Sequence, residues 1–183
     1  MNAREQLLAA GRRLFGERSY DEISIDDIAG AAHVSKGLLY HYFEGKRGLY
    51  VETLKVEGAQ LLAETEPYPD ELDAGLDAYL DYVETHRPGW LALMRGGVGS
   101  DAEVSAIVEA TRQAIVDRLV ATVGPGPVLR TALRGWVGMV EAAATEWVQR
   151  GDIERVQLRA LLADALHGAV ASAGALEAVG GVA

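Results

Sequence analysis

An all-α fold of about nine helices is predicted, and three observations predict it. Apolar residues recur at helical spacing through most of the 183 residues. Helix-start residues precede the apolar runs at Ser24, Ser35, Pro127 and Asp152, and helix-stop residues follow them at Gly124 and Gly151. No stretch carries the alternation of a half-buried strand, and no repeat or low-complexity tract interrupts the pattern.

The elements follow in order. A first helix from Ala3 to Arg18 presents Leu7, Leu8, Gly11, Leu14 and Phe15 as its apolar face, with Arg4, Arg12, Arg13 and Arg18 as solvated cations or phosphate contacts. Ser24 with Asp27 forms a capping-box start, and Ile25, Ile28, Ala29 and Ala32 define one buried face. His33-Val34 breaks that pattern. Ser35 then caps a short helix from Lys36 to Tyr42. Two short helices joined by a tight turn and buried on one side match a helix-turn-helix, whose second helix lies in the major groove. The exposed residues of that second helix, Lys36, Gly37, Tyr40, His41 and Tyr42, are basic, small and aromatic, types that reach phosphates and base edges.

These residues resemble a family. Ile28-Ala29, Ala32, Val34-Ser35, Gly37, Tyr40, Tyr42-Phe43 and Lys46 stand where the tetracycline-repressor (TetR) family of bacterial transcription regulators carries its motif, over roughly residues 4 to 54. The family usually has Gly in the turn where this chain has His33. That turn calls for a left-handed backbone, which Gly adopts freely and His tolerates better than most residues. Lys46-Arg47-Gly48 also replaces the family's more usual Lys-acid-acid run, making this helix start more basic. The resemblance implies a DNA-binding set of Ser24, Ser35, Lys36, Gly37, Tyr40, His41, Tyr42 and Lys46. It also implies a palindromic double-stranded operator, a homodimer and a small-molecule effector.

The division expected is a helix-turn-helix domain over residues 1–48 and a ligand-binding and dimerisation domain over 49–183. A fourth helix starts near Gly45 and ends at the Pro-containing break from Glu66 to Asp70. Asp70 caps a fifth helix that ends at Arg87-Pro88-Gly89, and a short sixth runs from Trp90 to Arg95 into Gly96-Gly97-Val98-Gly99. A seventh covers Asp101 to Val123, an eighth begins at Pro127, and Asp152 caps the ninth. The eighth carries Leu133, Trp136, Val137, Val140, Ala144, Trp147 and Val148 on one side and Gly135, Met139, Ala142 and Ala143 on another. Such a helix must bury apolar surface twice, once in its own core and once against a partner subunit or a larger core.

Family members hold small molecules in the helical body. Tyr79, Trp90, Met94, Trp136, Met139 and Trp147 are the candidates here, suited to a mostly apolar ligand, with core packing as the alternative for each. His86, Arg95, Glu141, Glu146 and His167 are the candidate polar groups of such a pocket, and the sequence does not rank them. A ligand fitting best after the sixth helix moves would pivot the fourth and respace the two reading helices.

Charge and composition narrow the classes further. The net charge is −10, yet residues 1 to 50 carry 7 Lys+Arg against 7 Asp+Glu, and residues 51 to 183 carry 10 against 20. The acidity therefore lies outside the reading head, where it repels DNA and orients the head toward it. There are no cysteines, which excludes disulfides and thiolate chemistry. No signal-peptide pattern and no apolar run of spanning length is present, so a cytoplasmic protein without membrane contact is expected. No P-loop, nucleophile-elbow, dinucleotide or metal-ligand spacing occurs; a single Asp164-x-x-His167 is the nearest approach to a di-iron motif. The expectation is a non-enzymatic, cofactor-free regulator with no metal and no catalytic residues, the rival being a helical adaptor whose helix-turn-helix binds protein.

Overall fold

The computed structural model describes residues 2–66, 72–96 and 101–180. Among them are nine α-helices and one 3-10 turn, and no strand. They are α1 (Ala3–Glu17), the 3-10 turn (Tyr20–Glu22), α2 (Ile25–Ala32), α3 (Lys36–Tyr42), α4 (Gly45–Thr65), α5 (Leu72–Thr85), α6 (Arg87–Gly96), α7 (Ala102–Val123), α8 (Pro127–Arg150) and α9 (Arg155–Gly180). The expected Asp70 cap and the Gly97–Gly99 cluster lie outside the described residues. No described helix is long and apolar enough to cross a membrane.

The chain packs as two compact units, Met1–Gln60 with His86–Glu109 and Leu61–Thr85 with Ala110–Ala183. Helices α4 and α7 each contribute residues to both. In the first unit α1 packs on α2, α3 and α6. Leu7, Phe15, Ile23, Ile28, Leu39, Leu49, Leu54, Trp90 and Leu93 are its fully buried large side chains. Two glycines set how closely helices approach there. A Cβ on Gly16 would collide with the backbone of Pro88, and one on Gly89 would collide with the carboxylate of Glu57. Glu57 is itself buried and ion-paired to Arg12. Arg12 also donates to Gln60 Oε1 at 3.3 Å, so this arginine serves the junction of α1 with α4.

The second unit is built on α8 against α9, with α5 packed on both. Its core joins Val116, Leu129, Leu133, Val137, Leu166 and Ala173, with Trp136 packed beside them. Pro127 occupies the first turn of α8, where its missing N–H costs nothing. The cap is supplied from far along the chain: the Glu177 carboxylate accepts from the backbone N–H groups of Val128 (2.9 Å) and Leu129 (3.1 Å). Gly151 ends α8 in the left-handed conformation at φ 63°. Arg155 and Arg159 at the start of α9 pair with Asp73, Asp77, Asp81 and Glu84 along α5.

Two sequence expectations are corrected. Arg87-Pro88-Gly89 opens α6 rather than closing α5: proline is tolerated in a first helical turn, and Trp90 N–H already bonds His86 O at 2.9 Å. Asp152 does not cap α9, which starts later; Glu154 precedes it and its N–H is held by Gln157 Oε1 at 2.9 Å. Along α9 Leu161 is exposed, whereas Leu158, Leu162 and Leu166 are buried.

Gly16→Ala is expected to destabilise the protein by about 1–3 kcal/mol, because backbone stands in the way of the new methyl. Gly30→Ala meets nothing within 4 Å and should stabilise α2 by roughly 0.5–1 kcal/mol. Urea unfolding of both variants checks the pair, and equal midpoints would contradict the close approach.

Candidate nucleic-acid interface

The interface is built from α2 and α3. Ser24 closes a full capping box: its Oγ accepts from Asp27 N–H at 3.0 Å, and Asp27 Oδ2 accepts from Ser24 N–H at 2.8 Å. The Ser24 hydroxyl, which donates to Asp27 Oδ2 at 2.7 Å, and then the Ser24 N–H hold the Asp27 carboxyl below the usual range. At the other end His33 takes the left-handed conformation, φ 55° and ψ 38°. Its N–H reaches Gly30 O at 3.2 Å, and Val34 N–H reaches Ala29 O at 3.0 Å, which closes the turn. Histidine thus occupies the position where glycine was the expected residue. Ser35 Oγ accepts from Leu38 N–H at 3.3 Å and starts α3.

Helix α3 is buried on one side only. Leu39 is inside, and Phe43, just past its end, is inside too. Ser35, Lys36, Gly37, Leu38, Tyr40, His41 and Tyr42 are all exposed. The phenol of Tyr40, 58% exposed, projects into solvent. The His41 and Tyr42 rings meet edge-on with centroids 4.9 Å apart. Lys36 Nζ lies 2.6 Å from Asp26 Oδ1, an ion pair open to water on both sides. The arrangement is a row of hydroxyl, ammonium and imidazole groups on one helix face, above a closed apolar layer.

Two of the expected contact residues face inward duties. Ser24 is engaged in its capping box. Lys46 is only half-exposed, and its ammonium donates to the carbonyl oxygens of Tyr20 (2.9 Å) and Ile23 (2.8 Å). It also lies 4.0 Å from the Tyr20 ring centroid. The carbonyls it serves belong to the first residue of the 3-10 turn and to the residue just after it, and Tyr20 O accepts from Ile23 N–H at 3.3 Å as well. Beneath it Phe15, Tyr20 and Tyr50 form an aromatic cluster, with centroids 4.6 Å apart for Phe15–Tyr50 and 5.0 Å for Tyr20–Tyr50. Burial raises the pKa values of both tyrosine hydroxyls. Sequence reasoning did not assign Lys46 this role; a basic residue in a first helical turn, against the dipole, was the available signal.

The candidate ligand residues fall into two groups. Trp90 and Met94 stand on α6 in the first unit, Trp90 completely buried. Tyr79, Trp136, Met139 and Trp147 belong to the second. Tyr79 is buried, Met139 is exposed, and Trp136 donates its Nε1–H to Leu162 O at 2.9 Å. Of the polar candidates, Glu141 holds Arg112 through both carboxylate oxygens at 2.9 Å. Among the described residues no group of three His, Asp or Glu is placed to hold a metal ion.

Replacing Lys46 with Met should lower stability by about 1–2 kcal/mol, since two charge-assisted bonds are lost while the aliphatic stem is kept. Thermal unfolding checks this; an unchanged midpoint would return Lys46 to the list of free surface cations.

Comparison with known proteins agrees with this geometry. Residues 7–53 match the bacterial regulatory proteins of the tetR family, and residues 69–168 match the tetracyclin repressor-like C-terminal domain. A tetR-family transcriptional regulator from Streptomyces coelicolor has the same fold, with a TM-score of 0.81 and 34% identity over 95% of this chain and 82% of that one. The HTH-type transcriptional activator FasR of Mycolicibacterium smegmatis is 31% identical over 121 residues, 62% of this chain and 55% of FasR. The transposon Tn10 TetC protein of Escherichia coli is 34% identical over 85 residues, 43% of each chain. The chain thus spans about half the length of the curated relatives it matches. With its capped α2, left-handed turn and one-sided α3 at the head of an all-helical body, the chain belongs to the TetR family, whose members are transcription regulators rather than enzymes.

Proposed function

We propose that this protein is a sequence-specific DNA-binding repressor that acts in the cytoplasm as a homodimer on a palindromic operator. The observation that carries the reading is the exposed face of α3, where Ser35, Lys36, Gly37, Tyr40, His41 and Tyr42 stand in solvent over a buried Leu39 and Phe43. Lys36, Tyr40 and Tyr42 hold phosphates, and Lys36, Gly37 and His41 share base reading. Gly37 has no built-on neighbour closer than 3.7 Å, which keeps the helix surface open for close approach. Residues 1–48 act as the reading head and 49–183 as the ligand-binding and dimerising body. Repression is the direction proposed; FasR is named an activator, and a reporter gene under the selected operator decides the sign.

Selecting bound sequences from a random DNA pool should return a two-fold symmetric site. Tyr40→Phe should then bind that site about 1 kcal/mol more weakly, roughly fivefold, with unfolding unchanged. Unaltered affinity in Tyr40→Phe combined with Lys36→Ala would remove α3 as the reading helix.

The dimer is proposed through α8 and α9. Met139 and Val128 on α8, and Val156, Leu161, Leu176 and Val179 on α9, are large apolar side chains left exposed by the protomer. Leu161→Asp should give a folded monomer that no longer binds the operator, while Leu166→Asp, in the buried core of the same helix, should unfold the protein. Sedimentation with circular dichroism separates the two. A Leu161→Asp variant that stays dimeric places the interface elsewhere.

The effector is proposed to be a small, mostly apolar molecule held by the helical body, with Tyr79, Trp136, Met139 and Trp147 as the residues of the second unit to test. Because α4 contributes to both units, a shift it undergoes in the body reaches the head along the same helix. Metabolite screening for DNA release, read beside tryptophan fluorescence, tests this. A releasing compound that binds Trp136→Ala and Trp147→Ala as well as the parent protein sinks this choice of site.

A further inference from the structure

The sequence singled out Lys46-Arg47 as an unusually basic helix start. Lys46 is engaged with the 3-10 turn. Arg47 is engaged 54 residues downstream. Its Nε and one terminal nitrogen grip the Asp101 carboxylate at 2.7 and 3.0 Å, and the same terminal nitrogen reaches Glu103 Oε2 at 2.8 Å. Lys55, two turns further along α4, adds a contact to Glu103 Oε1 at 3.4 Å. Asp101 does a second job, since its Oδ1 accepts from the N–H groups of Glu103 (3.1 Å) and Val104 (3.3 Å) and so caps α7.

We propose that Arg47 is a positioning residue for DNA binding: with Asp101, Glu103 and Lys55 it straps the start of α4, and through it the recognition helix, to the first turn of α7. The inference rests on the DNA-binding reading given above. Only Phe43 and Glu44 separate α3 from α4. Phe43 is buried, its N–H bonds Leu39 O at 2.9 Å, and Gly45 N–H bonds Phe43 O at 2.7 Å. A displacement of the α4 start is therefore passed to α3. All four strap residues belong to the first unit.

The charges suit the two helix ends. A guanidinium in the first turn of α4 opposes that helix dipole, and two carboxylates answer it; carboxylates at the start of α7 favour theirs. The pairing holds both carboxyls below the usual range, with the Arg47 hydrogen bond as the first cause. Exposed pairs are weak singly, and a bidentate fork shared by two carboxylates is the geometry in which they count. Being exposed, the strap is screened by salt.

The test is the double variant Asp101→Asn with Glu103→Gln, which keeps the shape and the α7 cap and removes the charges. At about 50 mM salt it should bind the selected operator roughly three- to tenfold more weakly than the parent. Arg47→Ala should do the same, and the triple variant should be no worse than either. The gap should close as salt rises, whereas a packing defect would persist. Without DNA, amide exchange at residues 43–49 should quicken in the double variant. Unchanged exchange, unchanged affinity or a salt-independent gap would overturn the strap. So would tighter binding by the double variant, which would make Arg47 a phosphate contact held back. Failure of the parent protein to bind any DNA would instead overturn the reading on which the strap rests, while the exchange comparison still judges the strap.

Discussion

The ammonium of Lys46 bridges the carbonyl oxygens of Tyr20 and Ile23, and the placement of the reading head depends on it. Ile23 is followed directly by Ser24, the cap of α2, so the bridge fixes where α2 begins relative to the first turn of α4. The left-handed turn at His33 then fixes α3 relative to α2, and the buried Phe43 ties α3 back to α4. The three helices form a closed loop of constraints, each a short-range geometric one. An eight-residue and a seven-residue helix are too short to persist alone. Their order comes from this closure and from the layer formed by Ile28, Leu39 and Phe15 beneath them.

What was legible in the sequence was whatever local chemistry decides. The Ser24–Asp27 box, the Ser35 cap, the His33 turn, Pro127 at a helix start and Gly151 at a helix end each depend on residues within a turn of one another, and each stands as read. The Arg87-Pro88-Gly89 segment was read as a stop because proline and glycine stand together; the same proline is also at home in a first turn, and tertiary packing chose between them. Along α9 only packing shows that Leu166 is buried and Leu161 is left open.

Long-range pairing was not legible at all. Nothing in the spacing announces that Arg47 meets Asp101, that Arg12 meets buried Glu57, or that Glu177 caps α8. Lys46 looked like a phosphate-seeking cation because a helix start is a costly place for positive charge, and Arg47 only added to the basicity of that start. The structure offers a different compensation for each, carbonyl oxygens for one and carboxylates for the other. The candidate site was thus readable as a helix face, whereas the frame that holds that face was not.

This frame changes what the zero net charge of residues 1 to 50 means. Arg4 faces Glu52, Arg18 faces Asp27 and Lys36 faces Asp26, so the described cations of the head are largely matched to acids nearby. The counterion release that drives nonspecific DNA binding scales with the phosphates that cations neutralise. On the proposed reading, a head whose cations are so matched releases few counterions on its own, and its grip comes from hydroxyl and backbone donors on α3 and from the Lys36 that Asp26 can give up at an exposed pair. Such contacts are geometrically demanding and weak singly. They favour a protein that binds well only when two rigid heads are held in register, which is the condition that a dimer of the helical body would meet and an effector would remove.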